Sequence, residues 1–259
     1  MTGQKRDQFR NDLRDGRCVG FFCKTTDSGM VEAAGYSGLD FAVLDMEHGP
    51  IGLETLLNHV RATDNTPMLS IVRVNGHDPD MIGSALDTGA DGVQVPNVGT
   101  ADQARAAIEA AKFHPEGNRG VCRFVRAANF GTMDRDEYIA NANKTIVVLQ
   151  VEGLEGISNL DEILDVPGFD VLFVGPYDLS QSVGKPGQVH DPEVLKLIGD
   201  IAAKAEAKGV ALGVFTDTDE SIREMAGMGF SYLAHSVDQN IFSQACSRIT
   251  STLETGKQS

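Results

Sequence analysis

The chain has 259 residues, of which 41% are hydrophobic and 23% charged, a composition typical of a globular protein rather than a disordered one. Its formal net charge of −15 argues against a nucleic acid or an anionic membrane surface as partner, because both would repel an acidic protein. The length is close to the roughly 250 residues typical of a (β/α)₈ barrel, so one domain over residues 1–259 is predicted.

The first predicted element is an amphipathic helix over residues 4–16, in which Phe9 and Leu13 lie four apart and Gly16 ends the segment. We expect it to cap a sheet or barrel. A unit then repeats along the chain: a short apolar strand, a loop, and a helix with apolar residues three and four apart. The predicted strands cover residues 18–23, 41–46, 68–74, 92–96, 146–151, 171–175, 210–215 and 232–237.

Helical patterns fill most of the intervals between these strands. Strands that alternate with helices run parallel, and eight such units in this length favour a closed barrel over a doubly wound sheet. The predicted fold is therefore an α/β (β/α)₈ TIM barrel with an N-terminal capping helix and an extra C-terminal helix. The predicted helices cover residues 53–63, 79–89, 101–113, 159–166, 192–209, 219–229 and, after the last strand, 238–253.

One segment, residues 114–136, departs from this pattern because it is glycine-rich where a plain helix should be. A long loop inside a compact domain is usually functional or contacts a partner.

The four cysteines lie without CxxC or other metal-ligand spacing, and we interpret them as reduced thiols. Nothing at the N-terminus resembles a signal peptide, and no apolar run approaches the ~20 residues needed to cross a bilayer. These features predict a soluble, cytoplasmic protein.

The candidate reaction centre begins in FAVLDMEHGP, residues 41–50, where an apolar strand leads directly into Asp45, Glu47 and His48. Ligands of α/β folds bind at the carboxyl ends of parallel strands. A carboxylate from Asp45 or Glu47 that accepts from one imidazole nitrogen would leave the other nitrogen as a base, although a lone histidine after a strand is more often structural. The polar residues at predicted strand ends are Lys24, Asp45, Glu47, His48, Arg73, Gln150, Glu152, Asp178 and Asp217.

Two of these acids, Glu152 and Asp178, follow consecutive strands, so their carboxylates can converge on one hard divalent cation. Mg²⁺ or Mn²⁺ suits such oxygen donors better than a structural zinc, and Co²⁺ is a further candidate. The alternative is that each acid caps the following helix. Gly175, Pro176 and Tyr177 begin a turn whose amides could hold a small carboxylate, or which is simply a tight turn.

Arg73 ends the third strand, where it would bind a carboxylate or stabilise a developing enolate oxygen. The alternative is a salt bridge to Asp87 or Asp45. Schiff-base aldolases place a lysine on a barrel strand, but the strand-end lysine here is Lys24, and Lys144 precedes its strand. A metal-enolate mechanism therefore fits better than a covalent imine.

The sequence resembles the HpcH/HpaI class II, metal-dependent pyruvate aldolases, which include 4-hydroxy-2-oxoheptanedioate and 2-keto-3-deoxy sugar acid aldolases. The resemblance covers nearly the full length and rests on LDMEHGP, SIVRVNG, GADGVQVPNVGTADQARAAIEAAKFHPEGNRGV and LQVEGLEGISNLDEILDVPGFDVLFVGPYDLSQSVG. Two residues depart from the family pattern. Tyr177 stands where family members often carry a small residue, and Met46 lies inside the Asp–His motif.

The resemblance implies a role for each of the matching residues. Glu152 and Asp178 would ligate the metal, and Gln150 would support the metal-bound substrate or water. His48, oriented by Asp45, would act with water as the acid and base, and Arg73 would hold the enolate oxygen. The substrate contacts implied are Arg73, Gln150, Gly175, Pro176 and Tyr177.

The implied activity is cleavage or formation of 4-hydroxy-2-oxo acids from pyruvate, or a close analogue, and an aldehyde through a metal-stabilised enolate. The family also implies a homo-oligomer, a hexamer built as a trimer of dimers that exchange their last helix. The alternatives are a 2-oxo acid decarboxylase or a CoA-ester lyase on the same scaffold, and a non-catalytic barrel that binds a 2-oxo acid.

Overall fold

The computed structural model describes residues 2–254, within which eight parallel strands close into a barrel in chain order. Each strand pairs with the next, and the last pairs with the first. The predicted (β/α)₈ barrel is confirmed, with every strand bound within one residue of its expected position. The strands are β1 Cys18–Cys23, β2 Phe41–Asp45, β3 Leu69–Arg73, β4 Gly92–Val95, β5 Ile146–Val151, β6 Val171–Val174, β7 Ala211–Thr216 and β8 Tyr232–Val237.

The helices connect the strands and begin at recognisable caps. Thr100 and Thr218 each form a capping box, in which the threonine side chain and the residue three positions later satisfy each other's backbone N–H groups. The helices are α1 Thr2–Asp15, α2 Ser28–Tyr36, α3 Leu53–Asp64, α4 Pro79–Asp87, α5 Ala101–Ala111, α6 Arg135–Asn143, α7 Leu154–Ser158, α8 Leu160–Leu164, α9 Pro176–Ser182, α10 Pro192–Ala207, α11 Asp219–Gly227 and α12 Asp238–Glu254.

The barrel interior is packed with side chains that alternate along each strand. On β2, Phe41 and Val43 belong to the interior cluster, whereas Ala42 and Leu44 belong to the layer between the strands and the helices. The Phe41 ring stacks on Tyr232 with centroids 3.9 Å apart. The same alternation turns residue 45, the last of β2, toward the barrel axis at the carboxyl end.

Helix α1 covers the opposite, amino-terminal end of the barrel, as expected. Its Phe9 packs edge-on against Phe41 and Tyr232, with ring centroids at 5.9 and 6.3 Å. The Arg6 Nε lies 3.2 Å from a carboxylate oxygen of the buried Asp91, which precedes β4. Because α1 covers the barrel interior at this end, the interior opens at the carboxyl ends of the strands.

The segment between α5 and α6 is a long excursion, as the glycine-rich sequence indicates. It contains a short 3₁₀ helix over Arg126–Gly131, interrupted by Asn129 and Phe130 with φ of 48° and 55°. Phe124 and Phe130 are 80% and 64% exposed.

Within residues 2–254, no helix is both long and apolar enough to cross a bilayer.

Candidate active site

A cavity of about 370 Å³ opens at the carboxyl end of the barrel. Most of the strands contribute to its wall, and the wall contains most of the strand-end residues that the sequence singled out. The lining residues are Phe22, Lys24, Arg73, Gln150, Phe173, Gly175, Pro176, Tyr177, Asp178, Phe215, Asp217, Ser236, Val237 and Asn240.

Asp45 and Arg73 form a buried, two-pronged ion pair across neighbouring strands. They are direct partners in the β2–β3 register, and Arg73 donates from Nε and Nη2 to the two Asp45 oxygens at 2.9 and 2.8 Å. Burial opposes the charge of Asp45, yet the Arg73 hydrogen bonds and charge outweigh it and lower the pKa of this carboxyl. The Arg73 guanidinium also lies over the Phe22 ring, 4.6 Å from its centroid. Its position is therefore fixed from two sides.

His48 lies at the rim of this pair rather than within it. The Asp45 carboxylate accepts the backbone N–H groups of Glu47 and His48 at 3.1 and 3.2 Å, and the Arg73 guanidinium occupies its remaining side. For this reason Asp45 accepts no hydrogen bond from the His48 imidazole in this structure. The His48 side chain is 61% exposed, and its Nε2 is 3.8 Å from Glu47 Oε2.

Glu47 lies between the Arg73 guanidinium and the His48 imidazole. Its Oε2 lies 3.1 Å from Arg73 Nη1 but makes no hydrogen bond of good geometry. Burial raises the pKa of Glu47, and the Arg73 charge opposes that rise. The structure brings Glu47 to Arg73 and His48, so it is the alternative partner for the imidazole.

A chain of buried polar side chains leads to Glu152. Gln94 donates to the Gln150 side-chain oxygen at 2.6 Å, and Gln150 donates to Glu152 Oε2 at 2.5 Å. The backbone N–H of Asn97 donates to Glu152 Oε1 at 2.9 Å. Gln94 was not among the residues predicted from the sequence, although a glutamine at an inward-facing position of the strand GVQV was a usable signal. Gln150 is held in one orientation because its amide oxygen and nitrogen each have a partner.

The acids Glu152 and Asp178 are the candidate ligands for a divalent cation, and their charges interact. Burial, opposed by the Gln150 hydrogen bond and reinforced by the Asp178 charge, raises the pKa of Glu152 to about 7. A cation would relieve this repulsion, and Mg²⁺ is commonly held by one or two carboxylates completed by water and substrate oxygens. Over residues 2–254, no three His, Cys, Asp or Glu side chains are grouped to hold an ion, so these acids would supply only part of the shell.

The β6–α9 junction brings Gly175, Pro176 and Tyr177 to the cavity wall. A Cβ on Gly175 would lie 2.6 Å from Glu152 Oε2, so a larger residue here would displace the Glu152 carboxylate. The Tyr177 hydroxyl donates to Asp217 Oδ2 at 2.7 Å. Burial and that hydrogen bond raise the pKa of Tyr177 to about 12, so its hydroxyl stays protonated at neutral pH.

Two further lining residues, Ser236 and Asn240, carried no signal in the sequence. Ser236 holds a left-handed backbone, φ 57°, at the end of β8, and its hydroxyl accepts from Asn240 Nδ2 at 2.8 Å. Lys24 lies 3.7 Å from Asp45 Oδ2.

Comparison with known proteins gives consistent matches over nearly the whole chain. The HpcH/HpaI aldolase/citrate lyase family pattern matches residues 18–245. The 2-dehydro-3,6-dideoxy-6-sulfogluconate aldolase of Pseudomonas putida is 36% identical over 226 residues, covering 87% of this chain and 88% of that protein. The 2-keto-3-deoxy-L-rhamnonate aldolase of Escherichia coli is 34% identical over 260 residues, covering 99% and 97%. A crystal structure of a HpcH/HpaI family protein from Burkholderia cenocepacia superposes with a TM-score of 0.91 at 30% identity, covering 95% of this chain and 99% of that one.

Proposed function

The chain belongs to the HpcH/HpaI aldolase/citrate lyase family and is an aldolase, and from this premise we propose that it cleaves and forms 4-hydroxy-2-oxo acids. The products of cleavage are pyruvate, or a close analogue, and an aldehyde. Its relatives named for 2-keto-3-deoxy and 2-dehydro sugar acids support this substrate class, because those names describe acids with an oxo group at carbon 2.

The observation that carries the proposal is the fixed guanidinium of Arg73 at the cavity wall. Arg73 uses Nε and one N–H of Nη2 on Asp45, and its Nη1 lies near Glu47. One N–H on each terminal nitrogen remains for a ligand. These donors would hold the keto oxygen of a 2-oxo acid and stabilise the negative charge that develops there as the C3–C4 bond breaks.

Glu152 and Asp178 would hold the divalent cation, with Gln150 orienting the Glu152 carboxylate through its 2.5 Å hydrogen bond. When bound, the cation would supply Lewis-acid stabilisation of the same developing charge. The backbone N–H groups of Tyr177 and Asp178 in the first turn of α9 would receive the substrate carboxylate, since Pro176 has no N–H and the Gly175 N–H donates to the Val151 carbonyl.

His48 would handle the proton of the 4-hydroxyl group. The exposed imidazole stands outside the cavity lining, so we assign it to act through a water molecule. Glu47, whose Oε2 lies 3.8 Å from His48 Nε2, would accept a hydrogen bond from the imidazole N–H and so keep the ring oriented. Asp45 would act indirectly by holding Arg73 and the loop amides in place.

Removal of the metal tests this proposal. We expect enzyme treated with a chelator and then desalted to lose at least ~100-fold of its retro-aldol activity, and Mg²⁺, Mn²⁺ or Co²⁺ to restore it. The matched control is enzyme desalted without chelator. Full activity in a metal-free preparation would contradict the proposal, as would a lysine adduct trapped by borohydride with pyruvate.

A CoA-ester lyase is the second candidate, because the family description joins aldolases with citrate lyases. Release of acetyl-CoA from a hydroxyacyl-CoA, faster than cleavage of any 4-hydroxy-2-oxo acid, would favour it. Loss of CO₂ from a 2-oxo acid without aldehyde chemistry would indicate a decarboxylase. Pyruvate binding without product under any aldehyde would indicate a non-catalytic barrel.

A further inference from the structure

One side of the cavity carries none of the proposed contacts to the 2-oxo acid end of the substrate. Those contacts come from β3, β5 and the β6–α9 junction. On this other side, Phe215 lies on β7 and Asp217 directly follows it, whereas Ser236 and Asn240 come from β8 and α12. Because β6, β7 and β8 are consecutive neighbours in the barrel, this side is continuous with Tyr177. The space beside it is what remains for the aldehyde part of the substrate.

Tyr177 and Asp217 dominate this side. The Tyr177 ring packs edge-on against Phe215, 5.9 Å between centroids, and its hydroxyl donates to Asp217 Oδ2 at 2.7 Å. Among residues 2–254, the Tyr177 hydroxyl is the one protein group that donates a hydrogen bond to the Asp217 carboxylate. Asp217 Oδ1 is therefore available to a donor from a ligand.

The charge of Asp217 is not neutralised by a neighbour. The two cationic residues of the cavity wall already have acidic partners: Arg73 pairs with Asp45 and Glu47, and Lys24 lies 3.7 Å from Asp45. In the described part of the chain, no Lys, Arg or His nitrogen lies within ion-pair distance of Asp217. The Asp217 charge does act on His235, but burial lowers the pKa of that imidazole and favours its neutral form. A half-buried carboxylate in this position attracts hydroxyl donors and repels anions.

We propose that Asp217, oriented by the Tyr177 hydroxyl, determines which aldehydes the enzyme accepts. It binds the hydroxyl groups of neutral, hydroxylated aldehydes and disfavours aldehydes that carry a second anionic group. The inference rests on the proposed aldolase function, since it concerns the aldehyde that function requires. Tyr177 is a positioning residue here, acting through Asp217.

The test compares matched aldehyde pairs in condensation with pyruvate and Mn²⁺. Glyceraldehyde against propanal reports on hydroxyl groups, and succinate semialdehyde against butanal reports on charge. We expect the wild-type enzyme to favour glyceraldehyde within the first pair and butanal within the second. In Asp217→Asn, the kcat/KM ratio of glyceraldehyde to propanal should fall ~10-fold and that of succinate semialdehyde to butanal should rise ~10-fold.

Tyr177→Phe keeps the ring against Phe215 and removes the hydroxyl. We expect it to lower the kcat/KM ratio of glyceraldehyde to propanal in the same direction as Asp217→Asn, which a loss of packing alone would not do. Asp219→Asn is the matched control, because it removes a nearby charge at an exposed position in the first turn of α11, outside the cavity lining. Its aldehyde ratios should equal those of the wild type.

The outcomes separate this inference from the proposed function. Exchange of the pyruvate methyl protons with deuterated solvent, followed by NMR, needs no aldehyde and tests the pyruvate half alone. If the wild type shows this exchange but Asp217→Asn changes the aldehyde ratios by less than ~2-fold, only the proposed role of Asp217 is overturned. A wild-type preference for succinate semialdehyde would overturn it as well. Absence of exchange with every divalent metal would instead overturn the proposed function.

Discussion

His59 illustrates at the scale of one residue how burial dictates protonation. Its side chain in α3 is fully buried, with Nε2 2.9 Å from the Thr25 carbonyl oxygen and Nδ1 3.0 Å from the Ser28 hydroxyl. Because a carbonyl only accepts, Nε2 carries the proton and Nδ1 accepts from the hydroxyl. Burial lowers the pKa of His59, and the charges of Asp238 and Asp27 oppose this only partly.

This arrangement predicts a pH-dependent stability. Below the unfolded-state pKa of about 6.5, the unfolded chain binds a proton that the folded protein does not, so acid lowers the free energy of unfolding by up to about 1.4 kcal/mol per pH unit. Above that pKa both states are neutral and the penalty disappears. We expect His59→Gln, which retains polar contacts but cannot titrate, to lose less stability than the wild type between pH 7.5 and 5.5.

Urea denaturation at a series of pH values measures this difference. His114→Gln changes an exposed histidine and serves as the control. Its stability should depend on pH as that of the wild type does. Parallel curves for the wild type and His59→Gln would contradict the interpretation.

The site residues were predictable from the sequence to different degrees. Strand ends and alternation indicated Asp45, Arg73, Gln150 and Glu152, because polar residue types stood out against apolar strands. The partner of the His48 ring was not predictable. Two carboxylates within three residues compete for Arg73 and the loop amides, and three-dimensional packing alone decides which one lies nearer the imidazole.

At the scale of elements, the junction of β6 and α9 depends on one close approach to the end of β5. A Cβ on Gly175 would lie 2.6 Å from Glu152 Oε2 and 3.0 Å from Glu152 Cβ. Gly175→Ala should therefore push the carboxylate away from Gln150. We expect Mn²⁺ affinity, measured by titration calorimetry, and kcat/KM to fall ~10–100-fold, as for other residues that support metal ligands.

Gly153→Ala provides a matched control, because Gly153 follows Glu152 directly and a Cβ there would meet nothing within 4 Å. Its Mn²⁺ affinity should equal that of the wild type. Equal affinities for Gly175→Ala and the wild type would show that Glu152 does not depend on the close contact.

Most of the strands and helices were predictable from the sequence. Parallel strands buried on both faces are continuous apolar runs, and this is why all eight strand positions were found. Helix α2, with the sequence SGMVEAAGY, was not predicted, because it is short and has a weak amphipathic pattern. The fold between α5 and α6 was recognisable only as irregular, since left-handed residues such as Asn129 and Phe130 leave no periodic pattern.

At the scale of the whole molecule, helix α12 is the element whose side chains are least covered by the rest of this chain. Its first residue is held firmly, with Asp238 Oδ2 accepting the backbone N–H groups of Lys24 and Thr25 at 3.0 and 2.7 Å. From residue 239 to residue 252, however, all side chains but the half-buried Ala245 are exposed. Ile241, Phe242 and Ile249 are 39%, 62% and 69% exposed. Because most of the stability of a helix in a protein comes from packing of its apolar face, we expect a face of this kind to contact a partner.

We propose that the partner is another copy of this chain, in agreement with the homo-oligomer that the sequence resemblance implies. The residues at positions 241, 245 and 249 recur every four residues, and Phe242 borders the same face. Phe242→Asp would place an unpaired charge in the buried interface. We expect it to weaken association at least ~100-fold, because aromatic residues at interface centres contribute strongly to binding.

Size-exclusion chromatography with light scattering over a range of protein concentrations measures this change directly. The wild type should remain oligomeric at concentrations at which Phe242→Asp dissociates. Ser247→Asp adds the same charge on the opposite face of α12 and should leave the assembly intact. A wild-type protein that is monomeric throughout, or equal dissociation of both variants, would contradict an interface through this face. Because Asn240 lines the cavity from the first turn of the same helix, dissociation of Phe242→Asp should also reduce kcat/KM, whereas Ser247→Asp should not.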